Sequence, residues 1–277
     1  MTPHPPGEQP KQPIPGVQHL VAVGSGKGGV GKTTVAVNLA VALAGMGHKT
    51  GLMDADVYGP NVPLMMGIQE MPAVHHERIV PLEQYGVRLM SMGFLNPGDK
   101  PLIWRGPMLH SVMQQFIRGV DWGDLDYLII DLPPGTGDVQ LSLIQTAPLS
   151  GAIVVTTPSD VSLEDARKAV HMFQEVKVEV LGIVENMSYL NCPHCHKRVD
   201  VFGAGGGRRT AKAMGVHFLA ELALDPEVRA GGDSGRPVAM RDSADPHAAG
   251  YIGLAKAMVA RLAEVGGPRQ PTIAIEE

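Results

Sequence analysis

The stretch Gly24-Ser25-Gly26-Lys27-Gly28-Gly29-Val30-Gly31-Lys32-Thr33-Thr34 constrains this chain most. An apolar run, His19-Leu20-Val21-Ala22-Val23, leads into it, and a helical pattern over 35–43 leads out. In a strand–turn–helix context, the spacing G-x-x-x-x-G-K-[ST] met by residues 26–33 reads as a phosphate-binding loop. Gly26, Gly28, Gly29 and Gly31 let backbone N–H groups, Val30 among them, crowd round phosphate oxygens, and the helix N-terminus adds partial positive charge. Lys32 is placed to reach the β- and γ-phosphates. The Thr33 hydroxyl is placed to ligate Mg²⁺, with Thr34 beside it. A second lysine, Lys27, directly follows Gly26, and the general pattern does not call for it.

Strand and helix patterns alternate along the rest of the chain, which predicts an α/β fold: a doubly wound, mostly parallel sheet flanked by helices. Strands are expected at 19–23, 49–54, 87–92, 126–131, 151–156, 180–185 and 216–220. Helices are expected at 35–43, 107–119, 138–146, 160–176, 210–214 and 248–265. Residues 58–63 read as loop, and 71–84 have no clear period. The 277 residues suffice for one large domain. Residues 17–265 are expected to form it, with an inserted C-x-x-C metal loop at 186–207 that holds a short hairpin. Residues 1–16, rich in proline, are expected to be a disordered arm, and 266–277 a flexible acidic tail. The arm has no apolar core like that of a secretory signal. No stretch approaches bilayer-spanning length. These features predict a cytoplasmic protein. The net charge of −5 argues against a general nucleic-acid surface.

Two apolar runs end on acids. Leu128-Ile129-Ile130-Asp131 puts a carboxylate at a strand tip, where it can hold Mg²⁺ through water. Pro133-Pro134-Gly135-Thr136-Gly137-Asp138 follows, a stiff loop jointed by glycines, suited to sensing a γ-phosphate. Asp54 and Asp56 flank Ala55 past the second strand. At a strand exit their side chains diverge, so one serves the Mg²⁺ shell and the other orients an attacking water.

The only cysteines are Cys192 and Cys195, in Cys192-Pro193-His194-Cys195-His196. A lone C-x-x-C is consistent with half a zinc site completed by His194 or His196, with a thiol–disulfide pair, or with part of an iron–sulfur site. C-x-x-C-H is also the haem-attachment spacing, which a chain without an export signal does not favour. An iron–sulfur cluster normally takes four thiolates, which two copies related by a two-fold axis would supply. On the residues alone, zinc and a dimer-bridging cluster stand level.

Taken together, these motifs resemble a known family. Residues 27–34 are similar to the deviant Walker A motif of the MinD-like and ParA-like ATPases. Asp54-Ala55-Asp56-Val57-Tyr58-Gly59-Pro60, Trp104-Arg105-Gly106-Pro107, the Asp131–Asp138 run and Asn186-Met187-Ser188 ahead of the C-x-x-C resemble the Mrp/ApbC iron–sulfur cluster carriers. The resemblance spans residues 16–262. It implies a slow ATPase that works as a homodimer, binds a four-iron, four-sulfur cluster between its two copies and passes it to apo-proteins, with a cluster-assembly scaffold as a further partner. It implies that Lys27 reaches the phosphates of the partner's nucleotide. Asp56 would orient the water, Asp54 and Asp131 would sit near Mg²⁺, and Asn186 would approach the adenine edge. It implies that Cys192 and Cys195 hold the cluster with their copies, which favours the cluster over zinc. Some members carry an extra N-terminal domain, for which residues 1–16 are too short and too proline-rich. The competing readings are a MinD- or ParA-like positioning ATPase and a zinc-stapled nucleotide-binding protein. The glycine- and proline-broken acidic tail argues against membrane attachment, and the net charge against DNA.

Overall fold

The first strand sets the frame. In β1 (Val17–Ser25) every residue from Leu20 onward is buried, as expected of a strand covered on both faces. The computed structural model describes residues 12–57, 59–95 and 106–266. The glycine loop leads from β1 into α1 (Lys32–Gly45), which is apolar on all sides and buried from Val35 to Leu43. A helix of that kind belongs inside a fold, and α1 lies under the C-terminal helix. The chain continues through β2 (Thr50–Asp54), α2 (Val62–Met65), β3 (Val74–His75), β4 (Arg78–Ile79), β5 (Leu82–Gln84) and β6 (Val87–Ser91). Next come α3 (Gly106–Arg118), β7 (Leu125–Asp131), α4 (Asp138–Thr146), β8 (Gly151–Thr156) and α5 (Asp160–Glu175). The last elements are β9 (Val180–Asn191), β10 (Arg198–Val199), α6 (Gly206–Met214), β11 (Phe218–Ala223), α7 (Pro226–Asp233) and α8 (Pro246–Val265).

Among the described residues, nine strands form one sheet in the order β10-β9-β8-β1-β7-β2-β6-β5, with β11 also on β9. All pairings are parallel except β5 with β6 and β10 with β9. From β1 the chain crosses to β2 in one direction, and from β8 to β9 in the other. Right-handed crossovers running in opposite directions put α1 and α5 on opposite faces. The sheet is therefore doubly wound, and its carboxyl edge near β1 is where such folds bind ligands.

The expected elements are present, with four differences. The aperiodic stretch 71–84 holds the small β3–β4 hairpin and β5. Of the stretch 58–63, expected as loop, Val62 and Pro63 open the single turn of α2. Helix α7 was not expected; Asp225 caps it, accepting from Glu227 N–H, and Pro226 opens it. The largest difference is β9, expected to stop at Glu185, which runs on to Asn191. Beyond Glu185 it finds partners in β11, at Tyr189↔Ala223, and in β10, at Asn191↔Arg198. The stretch 186–207, expected as loop with a short hairpin, has that hairpin between β9 and β10 but opens with the strand extension, so Asn186 lies within a strand.

Within the stretch 1–16 expected as an arm, Ile14 has a fixed place. Ile14 is buried, and its carbonyl accepts from Val17 N–H at 3.1 Å. Residues 1–11, Tyr58, Trp104, Arg105 and 267–277 lie outside the described residues.

Candidate functional site: a phosphate loop, an acidic row and a cysteine hairpin

Strand register alone gathers the acids. Asp54 of β2 lies opposite Asp131 of β7, and Asp131 opposite Val23 of β1, just ahead of the loop. On its other side Asp54 lies opposite Ser91 of β6. A polar row thus crosses the carboxyl edge of otherwise apolar strands.

Lys32 and Thr33, the first residues of α1, close on this row. Lys32 Nζ donates to Asp131 Oδ1 at 2.6 Å, and Thr33 Oγ1 donates to Asp131 Oδ2 at 2.7 Å. Asp56 Oδ2 is 3.9 Å from Lys32 Nζ. The lysine and Asp131 are both buried, so the ion pair satisfies charges that would otherwise be costly. Asp54 is held separately: Ser91 Oγ donates to its Oδ2 at 2.7 Å, and Asp56 N–H to its Oδ1 at 3.1 Å. Ser91 is a site residue that sequence reasoning missed. Its signal was a polar residue at the end of an apolar strand.

Burial pushes the Asp131 carboxyl above its ordinary range, against the pull of the Lys32 ammonium and the Thr33 hydroxyl. Burial also raises Asp54 to about 7, the charge of Asp131 adding to it. The folded protein therefore keeps a proton on Asp54 that the unfolded chain releases near 3.8. This contribution to stability is full below that value and is lost as pH rises through about 7. In EDTA without nucleotide, urea unfolding should show stability falling by about 1–3 kcal/mol from pH 5 to 8, and Asp54→Asn should flatten the fall. Equal slopes in the two proteins would contradict this assignment.

The glycine loop has the shape of a phosphate cradle. Gly31 caps α1 in the left-handed region, φ 79°, and a Cβ there would meet Asn186 Nδ2 at 2.3 Å. Both facts require glycine. Gly28 and Gly29 are exposed, and at Gly29 a Cβ would meet nothing within 4 Å, so the backbone there is open to a ligand. Val30 is buried and anchors the loop, and its carbonyl accepts from Asn186 Nδ2 at 2.9 Å. Asn186 thus packs directly on the loop. Ser25 Oγ donates to the Lys27 carbonyl at 2.9 Å, and Lys27 itself is half-buried. The Pro133–Gly137 turn is tied to the same loop, Gly135 N–H donating to the Ser25 carbonyl at 3.0 Å.

Cys192 and Cys195 lie away from this row, in the hairpin between β9 and β10. Cys195 is exposed and Cys192 half-buried. Cys192 N–H donates to the Lys197 carbonyl and His196 N–H to the Cys192 carbonyl, closing a tight turn with His196 at φ 55°. The N–H groups of Cys195 and His194 point at the Cys192 sulfur and, with the Cys195 thiol, lower its pKa. That favours the thiolate that metals take. Among the described residues, no three His, Cys, Asp or Glu side chains converge as a metal site would.

A phosphate loop after the central strand, with a strand-tip acid in register beside it, makes this a P-loop NTPase. Within that class the chain belongs to the ParA family described as NUBPL iron-transfer P-loop NTPase, which it matches over residues 16–259. The resemblance read from the motifs is thereby borne out. The chain is 48% identical over 251 residues to an iron-sulfur cluster carrier protein of Aquifex aeolicus, covering 90% of this chain and 69% of that one. It is 50% identical over 252 residues to an iron-sulfur protein required for NADH dehydrogenase, mitochondrial, of Arabidopsis thaliana, covering 90% and 80%. Among solved structures, a nucleotide-binding protein in complex with ADP from Archaeoglobus fulgidus superimposes with TM-score 0.71 at 38% identity, over 80% of this chain and 88% of that one. The cell division ATPase MinD of Pyrococcus furiosus, at 22% identity and TM-score 0.64 over 88% and 99%, shares the fold.

Proposed function

We propose that this protein is an ATP-hydrolysing iron–sulfur cluster carrier, which holds a four-iron, four-sulfur cluster between two copies and passes it to apo-proteins. The observation that carries the reading is the exposed Cys192–Cys195 turn, with two thiols and no further donor set beside them among the described residues. A bridged cluster needs two such turns, and a two-fold axis supplies them. The names of the Aquifex and Arabidopsis relatives support iron–sulfur chemistry, and the ADP of the Archaeoglobus structure supports a nucleotide on the glycine loop.

In this reading Gly26, Gly28, Gly29, Val30, Gly31, Lys32, Thr33 and Thr34 cradle the ATP phosphates. Mg²⁺ would be held by Thr33 with Asp131 and Asp54 around it, and would offset the charge that develops on the phosphates. The buried acids and the Thr33 hydroxyl fit that ion, which is usually bound by one or two carboxylates together with phosphates. Lys32 exchanges Asp131 for phosphate oxygens. Asp56, close to Lys32, orients the water. Lys27 reaches across the dimer to the partner's nucleotide, and Asn186 meets the adenine edge. Turnover is slow, because hydrolysis serves switching. Apo iron–sulfur proteins receive the cargo and a cluster-assembly scaffold supplies it. No helix among the described residues is long and apolar enough to cross a membrane. The cytoplasmic assignment stands beside one relative that is named mitochondrial.

The test is transfer. The protein, reconstituted anaerobically with iron and sulfide, is mixed with an apo-enzyme whose activity requires a four-iron cluster. Activation faster than that given by equal free iron and sulfide is expected. Activation no faster than that control would contradict the carrier role.

A further inference from the structure

Glu185 is a fully buried carboxylate that the phosphate site does not use. It ends the part of β9 that pairs with β8, directly before Asn186. Its partners face the other way. Gly207 N–H, in the first turn of α6, donates to Glu185 Oε2, and Ser188 Oγ donates to Oε1 at 2.5 Å. A Cβ at Gly207 would come within 2.9 Å of that carboxylate, so glycine is what lets the helix start sit on it. The carboxylate thus occupies the positive end of α6.

Ser188 also lies 3.0 Å from Glu221 Oε1 on β11. Glu221 and Glu185 are registered partners across the two strands. A serine hydroxyl carries a single hydrogen, so Ser188 donates to one carboxylate or the other, never to both. Glu221 in turn accepts from Arg198 Nη2 on β10, the return strand of the cysteine hairpin. Arg198 also donates to Asp200 at 2.7 Å and lies over the Tyr189 ring at 4.3 Å. Between Asn186 and Ser188, Met187 sits at φ 53°, the left-handed region that a methionine rarely adopts. The pairing of β9 with β11 shifts register nearby, between Glu221 and Ala223.

Two sets of polar contacts, joined by the backbone of β9 at Asn186, therefore link the Val30 carbonyl to the cysteine hairpin. The link passes from Asn186 along β9 to Glu185 and Ser188, and through Glu221 to Arg198. It contains a strained residue and a hydroxyl with two alternative acceptors, the features of a joint with two settings. We propose that Arg198, acting through Glu221 and Ser188, is the positioning residue that couples the phosphate loop to the Cys192–Cys195 hairpin, so that nucleotide on the loop sets how accessible the two thiols are. This rests on reading the loop as the ATP site and the thiols as cargo ligands. Nucleotide draws Lys32 off Asp131, the loop carrying Val30 adjusts, and Asn186 transmits the change into β9. The hairpin, held at Glu221 by Arg198, then closes over its thiols.

The chain has only two cysteines, so thiol alkylation reports on this hairpin alone. The iron-free protein is labelled with a maleimide with and without saturating Mg-ATP, and ATP binding is measured on the same samples. Mg-ATP is expected to slow wild-type labelling about fivefold, the lower end of typical site-to-site coupling. Arg198→Glu and Glu221→Arg should each abolish that response while still binding ATP, and Arg198→Lys, which keeps a cation on Glu221 and leaves both Ser188 acceptors in place, should retain it. Arg198→Gln, a milder change at this half-exposed side chain, should also abolish it. Wild-type labelling indifferent to Mg-ATP would overturn the proposal. So would Arg198→Glu or Glu221→Arg variants that respond as the wild type does, or an Arg198→Lys variant that loses the response. Iron uptake is scored separately: a wild type whose thiols respond to Mg-ATP but which takes up no iron keeps this coupling and sinks the carrier reading.

Discussion

Lys32→Ala is expected to cut ATP turnover by about 10²–10³-fold, the loss seen when one preorganised donor to a transition state is removed. Lys32 is the buried cation of the acidic row, 2.6 Å from Asp131 and 3.9 Å from Asp56. Removing it also leaves Asp131 buried without its ammonium. Losing one partner of a buried ion pair costs about 3–5 kcal/mol. Uptake of a proton by Asp131, whose pKa burial already raises, offsets part of that cost. The double variant Lys32→Ala with Asp131→Asn should therefore recover stability in urea without recovering phosphate release. Iron binding should survive in the single variant, because the cysteine hairpin lies outside the acidic row. Turnover within about tenfold of wild type, a change of about 1.4 kcal/mol in the barrier, would remove Lys32 from the chemistry. Loss of iron together with turnover would mean that the two sites do not function separately.

Cys192→Ala has the opposite profile. Iron bound after anaerobic reconstitution should fall to background while ATP binding stays at the wild-type level. The thiol is half-buried on a surface turn, where substitutions usually change stability by no more than about 0.5 kcal/mol. A loss of iron is then a loss of ligand and not of fold. Metal analysis and nucleotide titration on the same sample check both halves. Undiminished iron in this variant would move the cargo site elsewhere.

The parts of the fold that were legible in the sequence are those where chemistry and periodicity coincide. The Gly24–Thr34 stretch declared its turn because only glycine fits positions such as Gly31, and the strands ending on Asp54 and Asp131 read as continuous apolar runs because both faces are covered. What was missed depends on partners far away in the chain. Asn186 and Ser188 are turn-like residue types, yet β9 runs on through them, with β11, some thirty residues on, pairing at Glu185 and Tyr189 on either side. Ser91 supports Asp54 only because β6 lands beside β2, which no local window shows. Glu185 closes the strand expected at 180–185, and no local feature of the sequence marks it as buried. Its burial is tolerated because Gly207 brings a helix N-terminus onto it. The roles assigned to Lys27 and to the cysteine pair both require a second copy of the chain.

Native mass spectrometry of the anaerobically reconstituted protein tests that shared requirement most directly. The account predicts a species of two chains carrying four irons and four sulfides, and its absence in Cys192→Ala. A single chain with one tightly bound zinc and no iron, under every nucleotide condition, would contradict it.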